Sequence, residues 1–353
     1  MKRFHLNEWL GTDYPIIQAP MAGVQDSALA IAVSEAGGLG SLPCAMLSVD
    51  EMAHQVSLLI AATDNPYNLN FFCHEMTEYD KKKHQQWQER LKPYFDEFSG
   101  QYDKSIKGAT RMPFSHETAD AIEGFAPPVI SFHFGLPEPD LLARVKRWGT
   151  KVLSSATTLE EAIWLEERGV DGIIAQGLEA GGHRGMFLSK DVSTQVGLFS
   201  LLPQIVNRVS VPVIAAGGIS DARGINCAMS LGASAVQIGT SYLLCNEAKT
   251  SLLHRAALKS QRAKHTALTN VFTGRPARGI VNRVMKDFDY LDVNVPAFPY
   301  ASMEVAQLKS LAEKHGSDEF SSLWSGQNVS GCKEISAFEL TKQFAEPYRV
   351  SLS

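Results

Sequence analysis

The loop from Gln176 to Gly185 has the sequence QGLEAGGHRG, in which glycines flank the histidine His183. It follows a short apolar run, Gly172 to Ala175, which is typical of a buried strand. Glycine lets the main chain adopt positive φ and lie close to a flat ligand. A histidine held in such a loop can accept or donate a proton near neutral pH. We therefore predict that His183 is a catalytic residue; a surface histidine on a glycine-rich turn is the simpler alternative.

Two later apolar runs also end in small residues. The run Val213 to Ala216 is followed by a pair of glycines, Gly217 and Gly218. The run Ala235 to Ile238 ends in the sequence QIGT, which extends to Thr240. When such loops follow neighbouring strands of a parallel barrel, their main-chain N–H groups face one anion. The two loops together predict a phosphate-binding site, with the Thr240 hydroxyl as an additional donor.

The ends of other apolar runs offer uncharged groups that suit a planar ring. The segment Ala19, Pro20 and Met21 is compact and neutral, and it fits the edge of a flavin better than a charged sugar. The side-chain amides of Asn70 and Gln176 can hydrogen-bond ring carbonyls or a ribityl chain. The alternative for each amide is that the main chain satisfies it in the core. Because no GxGxxG follows the first run, a Rossmann dinucleotide site is disfavoured.

These loops need a scaffold that brings them together, and the spacing of the apolar runs predicts one. Their apolar character is continuous, as in parallel strands that are buried on both faces. Helix-compatible segments separate them, so eight βα units predict an α/β fold of the closed (β/α)8 type, a TIM barrel, rather than an open sheet. The eight runs are Ile16 to Ala19, Gly38 to Leu42, Leu69 to Phe72, Val129 to Phe134, Val152 to Ser155, Gly172 to Ala175, Val213 to Ala216 and Ala235 to Ile238.

Two segments interrupt this rhythm and predict additions to the barrel. We expect residues 1–245 to form the cofactor-binding barrel, with a charged helical insertion at about 73–128 beside its mouth. Residues 246–300 are predicted to form a small domain that caps the substrate site. Residues 301–353 are predicted to be a C-terminal helical tail that packs on the barrel.

Composition argues against several classes of partner. The formal net charge of −5 disfavours nucleic-acid binding, which normally requires a basic face. The sequence contains no run of about 18 apolar residues, so we expect no membrane span. The five cysteines form no CxxC pair, a pattern typical of a reduced cytoplasmic protein without a zinc site. Only Glu179 lies near His183, and one carboxylate beside one histidine is too little for a metal site.

Six segments together resemble the nitronate monooxygenases, formerly called 2-nitropropane dioxygenases: PIIQAPMAG, NLNFF, IIAQGLEAGGHRG, PVIAAGGISDARG, GASAVQIGTSYLLC and TGRPARGIVNR. The resemblance runs nearly from end to end and includes the tail Leu323 to Gln327. It implies an FMN-dependent (β/α)8 barrel that oxidises alkyl nitronates with O2 to a carbonyl compound and nitrite. The SFHFGLP stretch and the long insertion resemble the enzymes that act on propionate 3-nitronate.

By position, the resemblance also implies roles for individual residues. His183 matches the active-site histidine, which orients the nitronate by a hydrogen bond, offsets its charge as an imidazolium, or deprotonates a neutral nitroalkane. Substrate binding is expected from His133, Tyr300 and Lys309, with Lys309 as the cation for a carboxylate-bearing substrate. Relatives often carry a tyrosine near His254. Together, the phosphate loops, the planar-ring segments and the resemblance predict these cofactor-binding residues: Ala19, Pro20, Met21, Asn70, Gln176, Gly181, Gly217, Gly218, Gln237, Ile238, Gly239 and Thr240.

Two other functions remain open from the sequence. An NAD(P)H-dependent enoyl-acyl-carrier-protein reductase of the same flavin-barrel group shares the FMN loops and a histidine after the sixth strand. The acidic net charge and the lack of an obvious basic docking patch disfavour it. A barrel that binds FMN or a phosphorylated metabolite as a sensor would not need His183. The sequence leaves open whether the protein is a monomer or a homodimer.

Overall fold

Eight short parallel strands form the centre of the molecule, and nearly all of their residues are buried. The computed structural model describes residues 9–103 and 111–346. The eight strands are β1 (Ile16–Gln18), β2 (Gly40–Pro43), β3 (Tyr67–Phe72), β4 (Val129–His133), β5 (Lys151–Ala156), β6 (Gly172–Gln176), β8 (Val213–Ala216) and β9 (Ala235–Ile238). Three further strands, β7 (Gly182–His183), β10 (Thr266–Thr269) and β11 (Ala277–Ile280), form a small antiparallel sheet.

The eight-stranded sheet closes on itself. Its order is β1-β9-β8-β6-β5-β4-β3-β2, and every pairing in it is parallel. The two ends meet through a parallel bridge between Ile17 and Leu39. The N–H of Leu39 donates to the carbonyl of Ile16 at 2.9 Å, and the N–H of Gln18 donates to that of Leu39 at 2.9 Å. The predicted (β/α)8 barrel is therefore confirmed.

Two strands begin two residues away from the starts expected from the apolar runs. β2 begins at Gly40, where a Cβ atom would lie 2.0 Å from the carbonyl oxygen of Ala30, so only glycine allows this approach of the preceding helix. β3 begins at Tyr67 and includes the polar residue Asn68. The Asn68 amide donates to Ser41 Oγ at 3.0 Å and to Ser131 Oγ at 2.9 Å inside the barrel. Because its hydrogen bonds are satisfied there, this polar residue continues a strand that an apolar pattern cannot detect.

Helices surround the barrel and extend past its mouth. They are α1 (Ser27–Glu35), α2 (Val49–Ala62), α3 (Lys81–Glu97), α4 (His116–Glu123), α5 (Pro139–Arg147), α6 (Leu159–Glu167), α7 (Leu198–Val206), α8 (Ala222–Ser230), α9 (Leu252–Lys259), α10 (Arg283–Asp287), α11 (Ser302–Lys314) and α12 (Ala337–Phe344). Short 3₁₀ turns span Val192–Thr194, Thr240–Leu244 and Gln261–Lys264. Within residues 9–103 and 111–346, no helix has both the length and the apolar character needed to cross a bilayer.

The segments outside the barrel share an apolar core of their own. Helix α3 of the insertion contributes Trp87 and Leu91, which pack in one cluster with Val271, Met285 and Leu308 from the later part of the chain. Helix α12 instead packs against α1 and α8 of the barrel. The division into units at residues 245 and 300 stays a prediction, while the packing joins the insertion to residues 271–320 in one layer beside the barrel.

Candidate active site

A cavity opens at the carboxyl ends of the barrel strands, with an empty volume of about 1370 Å³ that includes the solvent at its mouth. The carboxyl ends of the strands are the end at which (β/α)8 barrels bind their ligands. Most of the side chains and loops predicted from the sequence line it. They are Ala19, Pro20, Met21, Asn70, His133, Gln176, Gly181, His183, Gly217, Gly218, Gln237, Gly239 and Thr240.

Three predicted site residues do not line this cavity. Successive residues of a strand face opposite sides, so Gln237 faces the cavity whereas Ile238 is fully buried in the apolar barrel core. Tyr300 lies outside, with its ring 5.5 Å from that of Tyr79. Lys309 is on α11, where its Nζ is 3.8 Å from the carboxylate of Glu313 on the same helix. Their assigned contacts with a cofactor or substrate therefore have no support from this geometry.

The catalytic candidate His183 is partly buried among aromatic rings. Its strand β7 pairs with β11, and its Nε2 lies 2.8 Å from Thr273 Oγ1. The imidazole ring is 5.6 Å from the ring of Phe298 and 5.7 Å from that of Trp324. Burial lowers the pKa of His183 well below its usual value, and the positive charge of Arg111 lowers it further. His183 is therefore neutral at neutral pH, which disfavours the imidazolium role among the three that the sequence left open.

A hydrogen-bond network fixes the loop that carries His183. Arg184 is only 1% exposed, and its guanidinium donates to the carbonyls of Gly177 at 2.7 Å and Gln176 at 2.8 Å, and to Gln195 Oε1 at 2.9 Å. The Gln176 amide donates to the His183 carbonyl at 3.0 Å and accepts from the Gly185 N–H at 2.8 Å. The main chain of its own loop thus satisfies the Gln176 amide, and its contact with a cofactor stays a prediction.

His133 supports the same loop from the neighbouring strand. Its Nε2 lies 3.2 Å from the His183 carbonyl oxygen, and its Nδ1 lies 3.1 Å from Ser155 Oγ. Because a carbonyl only accepts, Nε2 carries the proton and Nδ1 accepts from the serine hydroxyl. Burial lowers the pKa of His133 to about 4, so this neutral tautomer persists at neutral pH.

The two glycine loops have the features that a phosphate needs. Gly217 and Gly218 have φ of +122° and +70°, a conformation that favours glycine. Within the described chain, the main-chain N–H groups of Gly218 and Gly239 have no hydrogen-bond acceptor. Thr240 Oγ1 accepts from the N–H of Gly326 at 2.9 Å, which leaves its own proton to donate. These donors without partners fit an anionic group, and the neutral wall beside them fits a flavin ring.

Trp324, Ser325, Gly326 and Asn328 complete the cavity wall, and no sequence pattern predicted them as site residues. Asn328 donates from its amide to the carbonyl of Gly218 at 3.0 Å. A Cβ atom on Gly181 would lie 2.4 Å from the nitrogen of Gly326, so glycine at 181 is required by this approach. The tail Leu323 to Gln327 belonged to the family resemblance, and that was the only signal for it. Two further lining residues, Arg111 and His254, had no local signal for a site.

The buried residue His74 lies next to this site, and we expect it to make the stability of the protein depend on pH. It is 4% exposed, and neither ring nitrogen has a hydrogen-bond partner in the described chain, although the main chain at Arg111 passes close by. Its ring packs edge-on against that of Phe298 at 4.7 Å. Burial lowers the pKa of His74 to about 4, as it does for His133 and His254. Between pH 6.5 and 4 the unfolded chain therefore binds more protons than the folded protein. We expect the free energy of unfolding to decrease as the pH is lowered through that range.

The substitution His74→Phe tests this expectation, because phenylalanine fits the aromatic surroundings and cannot be protonated. Its effect on the free energy of unfolding should be more favourable at pH 5 than at pH 7.5 by about 2 kcal/mol. Urea unfolding at both pH values measures the difference, and the exposed residue His54 supplies the control His54→Phe. An identical effect of His74→Phe at the two pH values would contradict the assignment.

Comparison with known proteins agrees with this geometry. The family model described as nitronate monooxygenase matches residues 3–346. A nitronate monooxygenase of Pseudomonas aeruginosa is 39% identical over 349 residues, which cover 96% of this chain and 97% of that protein. A nitroalkane oxidase from Streptomyces ansochromogenes has a similar structure, with a TM-score of 0.88, 35% identity, and coverage of 99% of this chain and 100% of that one.

A more distant structure shares the fold alone. FabK from Thermotoga maritima superposes with a TM-score of 0.71 at 24% identity, over 100% of this chain and 98% of that one. The family predicted from the sequence motifs is confirmed by the family model and by the relatives above 30% identity. The chain therefore belongs to the nitronate monooxygenase family of flavin-dependent oxidoreductases.

Proposed function

We propose that the protein binds FMN and uses O2 to oxidise alkyl nitronates, propionate 3-nitronate among them, to a carbonyl compound and nitrite. The observation that carries the proposal is the position of neutral, partly buried His183 in the same cavity as two glycine loops with unsatisfied N–H donors. The family supports nitronate oxidation as the reaction. A cytoplasmic location and a monomeric or homodimeric state remain predictions.

The residues that line the cavity support FMN as the cofactor. The N–H groups of Gly218 and Gly239 and the hydroxyl of Thr240 would hold the phosphate. The ring would lie against Ala19 to Met21, and Gln237 would offer its buried Oε1, which has no hydrogen-bond partner in the described chain. When bound, FMN supplies the acceptor for the electrons that leave the nitronate.

His183 would orient the substrate through the ring nitrogen that Thr273 does not use. Nε2 is engaged by Thr273 Oγ1, and in the described chain Nδ1 has no hydrogen-bond partner. When the Thr273 hydroxyl donates to Nε2, the proton is on Nδ1, which can then donate to a nitronate oxygen. When that hydroxyl instead donates to the Arg275 carbonyl, which is 3.4 Å away, Nδ1 is an acceptor for the α-proton of a neutral nitroalkane.

The decisive experiment follows O2 uptake and nitrite release. Purified protein with its flavin spectrum recorded is mixed with propionate 3-nitronate in air, and we expect both O2 consumption and nitrite in the absence of NAD(P)H. The same protein is mixed with NADPH under argon. Bleaching of the flavin by NADPH without nitrite release from the nitronate would favour the reductase and contradict our proposal.

Thr240→Val tests the phosphate site separately from turnover. The substitution keeps the shape of the side chain and removes the hydroxyl donor. We therefore expect the Kd for FMN to rise about 10-fold, as for the loss of one charge-assisted hydrogen bond. The quenching of FMN fluorescence on binding to apoprotein gives the Kd. Thr240→Ser retains the donor and is the matched control. Equal FMN affinity of Thr240→Val and the native protein would place the phosphate elsewhere.

A further inference from the structure

The cavity wall contains a single formal charge within the part of the chain that the structure describes. Its lining residues are apolar side chains, glycines, amides, hydroxyls and histidines, and the exception is Arg111. Burial lowers the pKa of His183, His133 and His254, so these histidines are neutral at neutral pH. An arginine remains charged in such surroundings. The cavity therefore presents one fixed cation to a ligand.

Arg111 is held in place without a carboxylate. Its Nη1 donates to Ser302 Oγ at 3.2 Å, and that hydroxyl donates to the Pro299 carbonyl at 2.8 Å. Burial lowers the pKa of the Arg111 guanidinium, and no carboxylate in the described chain raises it again. A guanidinium that is even partly buried without a counter-ion is unfavourable. Such an arrangement suits a residue whose counter-ion arrives with the ligand.

The position of Arg111 separates it from the parts of the cavity that would hold the flavin. It lies in the insertion, and its anchor Ser302 begins α11, so both belong to the layer beside the barrel rather than to the strand ends. The phosphate loops and the Ala19 to Met21 segment belong to the barrel. A substrate whose reacting end lies against the barrel would extend its other end toward Arg111.

We propose that Arg111 binds the carboxylate of nitronates that carry one, and that it determines the preference of the enzyme for them over simple alkyl nitronates. The inference rests on the proposed function, because it assigns a residue to the substrate of that reaction. Nη1 is used by Ser302, while the remaining N–H groups of the guanidinium can form the paired hydrogen bonds that a carboxylate accepts. Lys309, to which the sequence assigned this role, lies outside the cavity wall.

The test compares two substrates of the holoenzyme. Propionate 3-nitronate has the carboxylate, and propyl-1-nitronate has the same carbon chain without it. In Arg111→Gln we expect kcat/KM for propionate 3-nitronate to fall on the order of 100-fold, mainly through KM, as when one partner of a buried charge pair is removed. The value for propyl-1-nitronate should change by less than about 3-fold, since that substrate has no group for the guanidinium. Arg111→Lys retains the charge without the paired donors, so its loss should be intermediate.

A binding measurement accompanies the kinetics because it needs no turnover. Succinate matches propionate 3-nitronate in its two planar anionic ends and cannot be oxidised in this way, whereas butyrate has one carboxylate. Calorimetric titration should show that Arg111→Gln weakens the binding of succinate at least about 10-fold, while the thermal unfolding temperature and the flavin content remain native. The exposed Arg208, which lies far along the chain in the turn after α7, supplies the control Arg208→Gln.

The outcomes distinguish the inference from the function on which it rests. Equal losses on both nitronates would show that Arg111 acts on the nitronate or on the fold, and unchanged kinetics with both would show that it does not bind substrate; either result overturns the inference. Failure of the native enzyme to release nitrite from either nitronate would instead overturn the proposed function. In that case the succinate titration still decides whether Arg111 binds a carboxylate.

Discussion

Replacing His183 with asparagine is expected to leave a folded, yellow protein whose turnover of propionate 3-nitronate is about 10³-fold lower. Asparagine preserves a polar side chain at β7, so the pairing of β7 with β11 should persist. It loses the ring nitrogen that would face the nitronate, and a positioned proton donor or acceptor typically contributes 10² to 10⁴-fold. Nitrite release gives kcat, and the visible spectrum gives the flavin content.

The pH profile provides a second measurement for His183. Because burial and Arg111 lower its pKa well below 6.5, the neutral ring is present above that depressed pKa and is lost only as pH falls through it. We therefore expect kcat/KM for a nitronate to show no ionisation of His183 between pH 6.5 and 8. The exposed histidine His54 gives the control His54→Asn, which should retain native turnover. Native turnover in His183→Asn would remove the residue from the mechanism.

Replacing Arg184 with methionine is expected to destabilise the protein by about 3 kcal/mol and to lower turnover through the His183 loop. The substitution keeps an unbranched side chain but removes the guanidinium donors to the Gln176 carbonyl and the Gln195 amide oxygen, and leaves the Gly177 carbonyl with only the Ala180 N–H. Each buried acceptor without a partner costs about 1–3 kcal/mol. Urea unfolding measures the free energy, and nitrite release measures the loss of turnover.

Two controls separate the role of the Arg184 hydrogen bonds from its charge and volume. Arg184→Lys keeps the charge but cannot reach three acceptors in the planar geometry of the guanidinium, so it should recover only part of the lost stability. Arg208→Met removes an exposed arginine and should change the free energy of unfolding by less than about 0.5 kcal/mol. If Arg184→Met unfolded at the native urea concentration, the network could not be what fixes the His183 loop.

Hydrogen bonds inside the barrel explain where apolar pattern alone failed. Asn68 lies in β3 because Ser41 and Ser131, on the two neighbouring strands, accept its amide protons. Glu161 lies in the first turn of α6, and its N–H donates to Oγ1 of the capping residue Thr158 at 3.2 Å. Its carboxylate, however, accepts from the N–H groups of Phe187 and Leu188, beyond the His183 loop. Such partners are distant in sequence, so local periodicity cannot reveal them.

The basic residues Lys309 and Arg111 show in the same way that local sequence does not reveal which side chain faces the cavity. Lys309 and Arg111 are both basic residues outside the barrel, and neither has a distinctive local motif. The structure places Arg111 in the cavity wall and Lys309 beside Glu313 on its own helix. Which of them faces the cavity depends on how the insertion and α11 pack, through contacts between residues about 190 positions apart, such as Arg111 and Ser302.

The amino-acid sequence by itself determined the barrel, the glycine loops and the catalytic candidate His183. Each of these depends on neighbouring residues: strands require continuous apolar runs, and loops that approach a ligand require glycine. Only the tertiary structure decided which side chains share the cavity and what they can do there. It buried His183 enough to keep it neutral, satisfied Gln176 within its own loop, and brought Arg111 to the wall. Burial and electrostatics arise from the whole packed chain, so no single segment encodes them.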